Sequence, residues 1–154
     1  VIAGKVWKSD FGKYEAQSER LGLDAGVLLD SRYIPDDEVS SFLSMADVVV
    51  CPYRKIYQSG VVLMAMSALC PVIASDLPGM REVIDDMRTG FLFRTGDTDS
   101  LATVLRSVLC DEELRASVAK AALDEMKDRY SWTAIGANTA EVYAGGTIRE
   151  SGST

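Results

Sequence analysis

Residues 47–75 constrain the fold more than any other stretch of the sequence. The stretch opens with a short β-branched run that ends before Pro52, and it closes with a second apolar run at residues 72–74. Between the two runs lies an apolar segment that is long enough for a helix, which we place at residues 60–69. Strand, loop, helix and strand in this order predict a βαβ unit with parallel strands.

The junction before this helix is a candidate anion site. Ser59 can cap the helix through its hydroxyl, and Gly60 lets another group approach the backbone closely. The unpaired amides and the helix dipole favour a negative charge, so residues 57–60 form a candidate phosphate cradle. A plain helix cap remains an alternative, because no P-loop or GxGxxG pattern is present. The helix is apolar on every side, so we expect neighbours to cover all of its faces.

Composition excludes several classes of protein. The net charge is -7 with a pI near 4.6, and the 16 Lys and Arg residues are scattered, which argues against a nucleic-acid partner. The sequence contains no apolar run of the roughly 20 residues that cross a bilayer and no signal-peptide pattern. We therefore expect no transmembrane segment and a cytoplasmic location.

Histidine is absent from the sequence, which removes the Ser-His-Asp triad, a Cys-His nucleophile and most zinc sites. The three cysteines are Cys51, Cys70 and Cys110, and they lack CxxC spacing. All three lie in apolar segments, so we expect reduced thiols in the core and no disulfide framework.

The chain pattern predicts an α/β fold with a doubly wound, Rossmann-like parallel sheet that ends in helices. Beyond the βαβ unit, whose first strand we place at 48–51, strands are expected at 1–3, 27–29 and 90–93, and helices at 11–21, 35–46, 80–84, 98–109, 111–129 and 132–143. Ligands bind such sheets beyond the carboxyl ends of the strands, here at the loops 4–10, 30–34, 52–58 and 75–79. We expect one domain over residues 1–144 and a flexible tail over 145–154. The start at Val1, without Met, suggests a piece of a longer protein.

A series of short motifs in a fixed order resembles the C-terminal half of group 1 (family 4) retaining glycosyltransferases. The motifs are IAG at 2–4, LGL at 21–23, YIPDDEV at 33–39, ADVVV at 46–50, PY at 52–53, QSG at 58–60, PVIAS at 71–75, GMRE at 79–82, TGFL at 89–92 and GD at 96–97. The resemblance implies the donor-binding, Rossmann-like half of a GT-B architecture. It also implies a nucleoside-diphosphate sugar as donor, no metal or other cofactor, and a missing N-terminal acceptor domain as partner.

The resemblance implies a set of donor-binding residues and no catalytic residue within this chain. The diphosphate is expected at the helix start by Gly60, and the base is expected beside Arg32 and Tyr33. The full candidate set is Arg32, Tyr33, Tyr53, Arg54, Gln58, Ser59, Gly60, Val61 and Glu82. Alternatives without function remain open, since Tyr33 can be a surface aromatic residue, and Arg54, Lys55 and Glu82 can be solvated charges.

Two departures from the family pattern bear on function. The paired glutamates that bracket this helix start in the family are replaced by Ile56 and Met64, and Leu69 and Cys70 fill a segment that usually holds a glycine. The family's basic diphosphate ligands would lie before Val1, so we expect this chain alone to be inactive. One alternative is a degenerate, non-catalytic nucleotide-binding or scaffolding partner of another transferase, and a less favoured one is an unrelated flavodoxin-like or receiver module.

Overall fold

The computed structural model describes residues 1–6, 11–23 and 25–145, and the chain divides into two compact units. The first unit is Val1–Phe42 and the second is Leu43–Thr154. The single domain expected over residues 1–144 stays a prediction. Residues 146–154, which make up most of the predicted tail, lie outside the described residues, as do residues 7–10 of the first predicted loop.

The first unit contains a pair of parallel strands and the helix that connects them. Strand β1 (Ile2–Ala3) pairs with β2 (Leu29–Asp30), and helix α1 (Gly12–Arg20) lies between them in sequence. Gly22 follows α1 with φ 64°, and its amide donates to the carbonyl of Glu19 at 3.0 Å. A left-handed glycine just past a helix end is the stop signal that the sequence predicted.

Helix α2 (Asp36–Met45) begins in the first unit and ends in the second. The carbonyl of Pro35 accepts from the amides of Glu38 and Val39 at 3.0 and 3.2 Å, which starts the helix at the predicted place. The three acidic residues of the sequence motif occupy its first turn, where they face the positive end of the helix dipole.

The second unit is built on three parallel strands. Their order in the sheet is β3 (Val49–Cys51), β4 (Val72–Ser75) and β5 (Phe91–Phe93). Helix α3 (Gly60–Ser67) connects the first two strands, which confirms the predicted βαβ unit. The remaining helices are α4 (Pro78–Arg81), α5 (Thr98–Cys110), α6 (Glu112–Arg129) and α7 (Trp132–Tyr143).

Two helices differ from the predicted bounds by more than one residue at an end. Helix α4 begins at Pro78 and ends at Arg81, instead of spanning 80–84, because a proline with its fixed φ fits the first turn of a helix. Helix α3 ends at Ser67, since Leu69 adopts φ 58°. The amide of Cys70 donates to the carbonyl of Ala65 at 3.0 Å, the bond of a left-handed helix stop that glycine usually makes.

Buried side chains form a core cluster on each face of this sheet. Alternate residues of β4 join different clusters, so Val72 and Ala74 belong to one and Ile73 to the other. The first cluster includes buried residues of α3 and α6, namely Val62, Ala65, Met66, Ala122 and Met126. The second includes residues of β5, α5 and α6, namely Phe91, Phe93, Val108 and Val118. Helices therefore cover both faces of a parallel sheet, as predicted.

The expectation that α3 is covered on all sides is wrong. Val62, Ala65 and Met66 are buried, but Val61 is 42% exposed and Met64 is 45% exposed. The two exposed residues are three positions apart and therefore share one side of the helix. That side is uncovered within the described part of the chain.

The cysteine prediction is confirmed for two of the three residues. Cys51 and Cys70 are buried free thiols, and burial raises the pKa of both. Cys110 is a free thiol but is exposed at the end of α5, so it does not belong to the core. Among the described residues, no helix combines the length and apolar character that a membrane span needs.

Candidate functional site

The start of α3 lies just beyond the carboxyl end of β3, where the sequence predicted a ligand site. Ser59 caps the helix from an extended backbone conformation, and its Oγ accepts from the amide of Val62 at 3.4 Å. Its carbonyl accepts from the amide of Leu63 at 3.3 Å. The amides of Gly60 and Val61 occupy the first two helical positions, which have no acceptor within a helix. The predicted cap is confirmed, and two amides remain for another acceptor.

Space is available beside these amides. Gly60 is exposed, and a Cβ built on it would meet nothing within 4 Å. Val61, next in sequence, is also exposed. The side of Gly60 on which a side chain would stand is therefore open at the positive end of α3, the end of a helix that favours anions.

The loop before α3 is closed by a side-chain contact. The hydroxyl of Tyr53 lies 3.1 Å from Oγ of Ser59, and the Tyr53 ring packs partly buried against the first core cluster. Burial raises the pKa of Tyr53, although the Ser59 contact opposes this effect. The phenol is therefore neutral at ordinary pH and can serve as a donor or an acceptor to Ser59.

The loop before α3 also contacts the segment that follows β4, which includes the short helix α4. A Cβ built on Gly79 would lie 1.9 Å from the carbonyl oxygen of Tyr57, so only glycine fits at this contact. Arg81 holds this second loop by two bonds to Asp76, from Nε to Oδ1 at 2.5 Å and from Nη2 to Oδ2 at 2.6 Å. These bonds lower the pKa of Asp76. Two loops at the carboxyl edge of the sheet are thereby fixed to each other.

These contacts are the part of the site that the sequence reading missed. From the motif at residues 79–82, the sequence predicts a functional role for Glu82 alone, yet Gly79 and Arg81 have the better-defined contacts. The glycine itself is the available signal, because a residue without a Cβ permits a close backbone approach. The Asp76 and Arg81 pair had no comparable signal, because opposite charges at this separation are common.

Three polar residues of the loop are exposed, namely Arg54, Lys55 and Gln58. None of the ion pairs found among the described residues involves Arg54 or Lys55. Arg54 directly follows Tyr53, whose hydroxyl touches the helix cap. The loop therefore presents positive charge on the same short segment that leads into α3.

Glu82 stands at the carboxyl end of α4. Its side chain is exposed, and its backbone carbonyl accepts from the hydroxyl of Tyr130 at 3.4 Å. It is three residues beyond Gly79, on the segment that contacts Tyr57. The contact with a donor expected of Glu82 stays a prediction.

Arg32 and Tyr33 belong to the first unit, in the loop after β2. The guanidinium of Arg32 binds both oxygens of Glu38, and its Nε lies 3.1 Å from Oδ1 of Asp30. The hydrogen bonds from Arg32 lower the pKa of Glu38. Tyr33 is 66% exposed, so one face of its ring is available for stacking. Their predicted role beside a base stays a prediction.

In the described part of the chain, no group of three or more Cys, Asp or Glu side chains is placed to hold a metal ion, and histidine is absent from the sequence. The exposed cations of the loop before α3 and the first amides of the helix favour binding of an anion.

Parallel strands with helices on both faces, and a capped helix start at the carboxyl edge of the sheet, define a Rossmann-like α/β domain of the GT-B type. The chain belongs to the family described as glycosyl transferases group 1, whose profile matches residues 1–125. The resemblance seen in the sequence is thereby confirmed.

Individual relatives agree with this family membership. The chain is 39% identical over 126 residues to sulfoquinovosyl transferase SQD2 of Arabidopsis thaliana, covering 80% of this chain and 24% of the relative. It is 29% identical over 144 residues to the GDP-mannose-dependent alpha-(1-6)-phosphatidylinositol monomannoside mannosyltransferase of Mycolicibacterium smegmatis, covering 87% of this chain and 38% of the relative. The chain therefore spans about a quarter to two fifths of the length of these relatives.

Among solved structures, the chain is similar to the C-terminal domain of the glycosyl transferase group 1 family protein LpcC from Francisella tularensis. The TM-score is 0.72 at 27% sequence identity, and the match covers 80% of this chain and 64% of that chain.

Proposed function

We propose that this chain is the donor-binding half of a retaining glycosyltransferase, which transfers a sugar from a nucleoside diphosphate to an acceptor. The observation that carries the proposal is the start of α3, where Ser59 caps the helix, a Cβ on Gly60 would meet nothing within 4 Å, and the preceding loop contains the exposed cations Arg54 and Lys55. The mycobacterial relative named above is GDP-mannose-dependent, which supports a nucleotide-sugar donor here as well. The acceptor domain would be a separate part of the whole protein, and the present chain alone would be inactive.

The diphosphate has a defined place in this proposal. Its oxygens accept from the amides of Gly60 and Val61, while Arg54 and Gln58 approach from the loop. Negative charge grows on the diphosphate as the bond to the sugar breaks, and fixed amides and cations stabilise that charge. No metal ion is required for this role, so we propose a metal-independent site.

The family resemblance assigns the other parts of the donor to Arg32, Tyr33 and Glu82. In the first unit, taken by itself, the exposed ring of Tyr33 can stack on a base, and Arg32 precedes it in sequence. Arg32 is already paired with Asp30 and Glu38, so its role would be to brace the loop and stack, without supplying free charge. Glu82 would accept hydrogen bonds from sugar hydroxyls.

A non-catalytic nucleotide-binding partner is a second candidate, and the side chain of Met64 favours it. Met64 is 45% exposed on α3 at a position where the family pattern has a glutamate, and Ile56 at the other such position is half-buried against the core. Ile56 has no hydrogen-bond acceptor in its side chain, and the thioether sulfur of Met64 is a much weaker acceptor for a ribose hydroxyl than a glutamate carboxylate. If the rest of the pocket is intact, Met64→Glu should raise donor affinity.

The test is calorimetric titration of this chain, and of the longer protein in which the proposal places it, with UDP, GDP, ADP and the corresponding sugar nucleotides. One nucleotide should bind the longer protein, and Gly60→Trp should weaken that binding more than about tenfold. Gly136→Trp is the matched control, because Gly136 also faces open space but lies on α7. Unchanged binding in Gly60→Trp would place the donor elsewhere, and no binding by the longer protein would remove the transferase proposal.

A further inference from the structure

The cap of α3 is the hydroxyl of Ser59, and its hydrogen bond to the amide of Val62 alone does not fix its orientation. Oγ of Ser59 accepts from the amide of Val62 at 3.4 Å, which is beyond the usual range for a hydrogen bond of this type. A serine side chain has several rotamers, and a long bond selects weakly among them. Ser59 is only 7% exposed, so solvent has little access to complete its hydrogen bonding.

The hydroxyl of Tyr53 supplies the second contact, 3.1 Å from Oγ of Ser59. A serine hydroxyl has one proton and two lone pairs, so Ser59 can form hydrogen bonds with the Val62 amide and the Tyr53 hydroxyl at the same time. The Tyr53 ring is packed against the first core cluster, and its backbone amide donates to the carbonyl of Cys51 at 2.9 Å. Tyr53 is therefore a fixed point from which the cap can be held.

We infer that Tyr53 is a positioning residue for the diphosphate: its hydroxyl fixes Ser59, and through Ser59 it fixes the direction of the first amides of α3. The inference rests on the proposed function of that helix start. It changes the expected role of Tyr53 from direct contact with the nucleotide-sugar donor to support of the helix cap. The same loop also contacts Gly79 through the backbone of Tyr57, whereas the Tyr53 hydroxyl acts on Ser59, the last residue before the helix.

The variant Tyr53→Phe isolates this role, because it keeps the ring in the core and removes only the hydroxyl. Affinity for inorganic pyrophosphate, and for whichever of UDP, GDP and ADP the wild type binds, should fall about fivefold, the value of one ordinary hydrogen bond. Affinity for the matching nucleoside, which carries no phosphate, should not change. Tyr143→Phe is the control, since that hydroxyl is on α7 and its side chain is 88% exposed.

A double-mutant cycle with Ser59→Ala tests whether Tyr53 acts through Ser59. The double variant should bind pyrophosphate no more weakly than Ser59→Ala alone, and Ser59→Thr, which keeps a hydroxyl, should retain most of the affinity. Additive losses would overturn the inference, as would an equal loss for nucleoside and diphosphate or an unchanged affinity in Tyr53→Phe. A wild-type protein that binds none of the nucleotides would overturn the proposed function and the inference with it.

Discussion

Replacement of Gly79 by alanine tests whether the loop before α3 contacts the segment after β4, at the carboxyl edge of the three-stranded sheet. The added Cβ would lie 1.9 Å from the carbonyl oxygen of Tyr57, which is 1.1 Å less than the 3.0 Å below which such contacts essentially never occur. The opposing atom belongs to the backbone and Gly79 is buried, so a side-chain rotation cannot relieve the clash. One loop must move by about an ångström or more.

The expected cost follows from that displacement. Forcing extra volume into a packed site costs about 1 to 3 kcal/mol and occasionally more, and a backbone obstacle places this site at the upper end. We expect Gly79→Ala to lower the free energy of unfolding by about 3 kcal/mol. With a urea m-value of about 2 kcal/mol/M, the unfolding midpoint should fall by about 1.5 M.

The matched control is the same substitution at Gly136, in the interior of α7. A Cβ there would meet nothing within 4 Å, so only the gain in helix propensity remains. Gly136→Ala should raise the free energy of unfolding by about 1 kcal/mol and the midpoint by about 0.5 M. The assay is urea unfolding followed by circular dichroism and by tryptophan fluorescence. A Gly79→Ala midpoint within about 0.3 M of wild type would refute the packing argument.

Three further predictions concern single side chains. Because Arg81 lowers the pKa of Asp76, the stabilisation from this pair is present above the ordinary aspartate pKa and is lost as pH falls through the lowered value. Asp76→Asn should therefore melt below wild type near pH 7 and approach it in acid, and a constant difference would contradict the pairing. Ser131→Ala should lower the free energy of unfolding by about 1 kcal/mol in urea titrations, because Oγ of Ser131 caps α7 through the amide of Ala134 at 3.2 Å, and Ser131→Asp should restore it. Ser75→Ala should be neutral or stabilise by about 1 kcal/mol, because its Oγ is buried without a partner among the described residues, and a loss above about 1 kcal/mol would reveal an unseen partner.

Much of the second unit could be predicted from the sequence because local signals there agree with the packing. Ser59, Asp97, Asp111 and Ser131 each accept a hydrogen bond at the start of a helix, as their residue types lead one to expect. The apolar runs of β3 and β4 are strands in register, with Val49 opposite Val72. These features depend on neighbours close in sequence or on burial alone, and both leave a clear pattern.

The features that escaped prediction leave no distinctive local pattern in the sequence. The end of α3 was placed two residues too far along because Leu69 fits the helical pattern but adopts a left-handed conformation. The exposure of Val61 and Met64 was missed since an apolar helix is ordinarily a covered one. The contact between Gly79 and Tyr57 joins residues more than twenty positions apart, and a single sequence has no periodicity that would reveal it.

In the proposed site, the phosphates and the hydroxyl groups of the donor would be bound at α3 by different parts of the protein. This difference determines how the two proposed functions can be told apart. Phosphate would be bound by the backbone amides of Gly60 and Val61, whose direction depends on the cap and is independent of the side chains along the helix. Hydroxyl groups of a ribose or a sugar need side-chain acceptors, and Met64 offers only a weak thioether acceptor. Binding of pyrophosphate is therefore expected of a transferase and of a non-catalytic partner alike. A gain in affinity from nucleoside diphosphate to sugar nucleotide requires the polar contacts that only a working donor site would retain, so that difference is the measurement that discriminates between them.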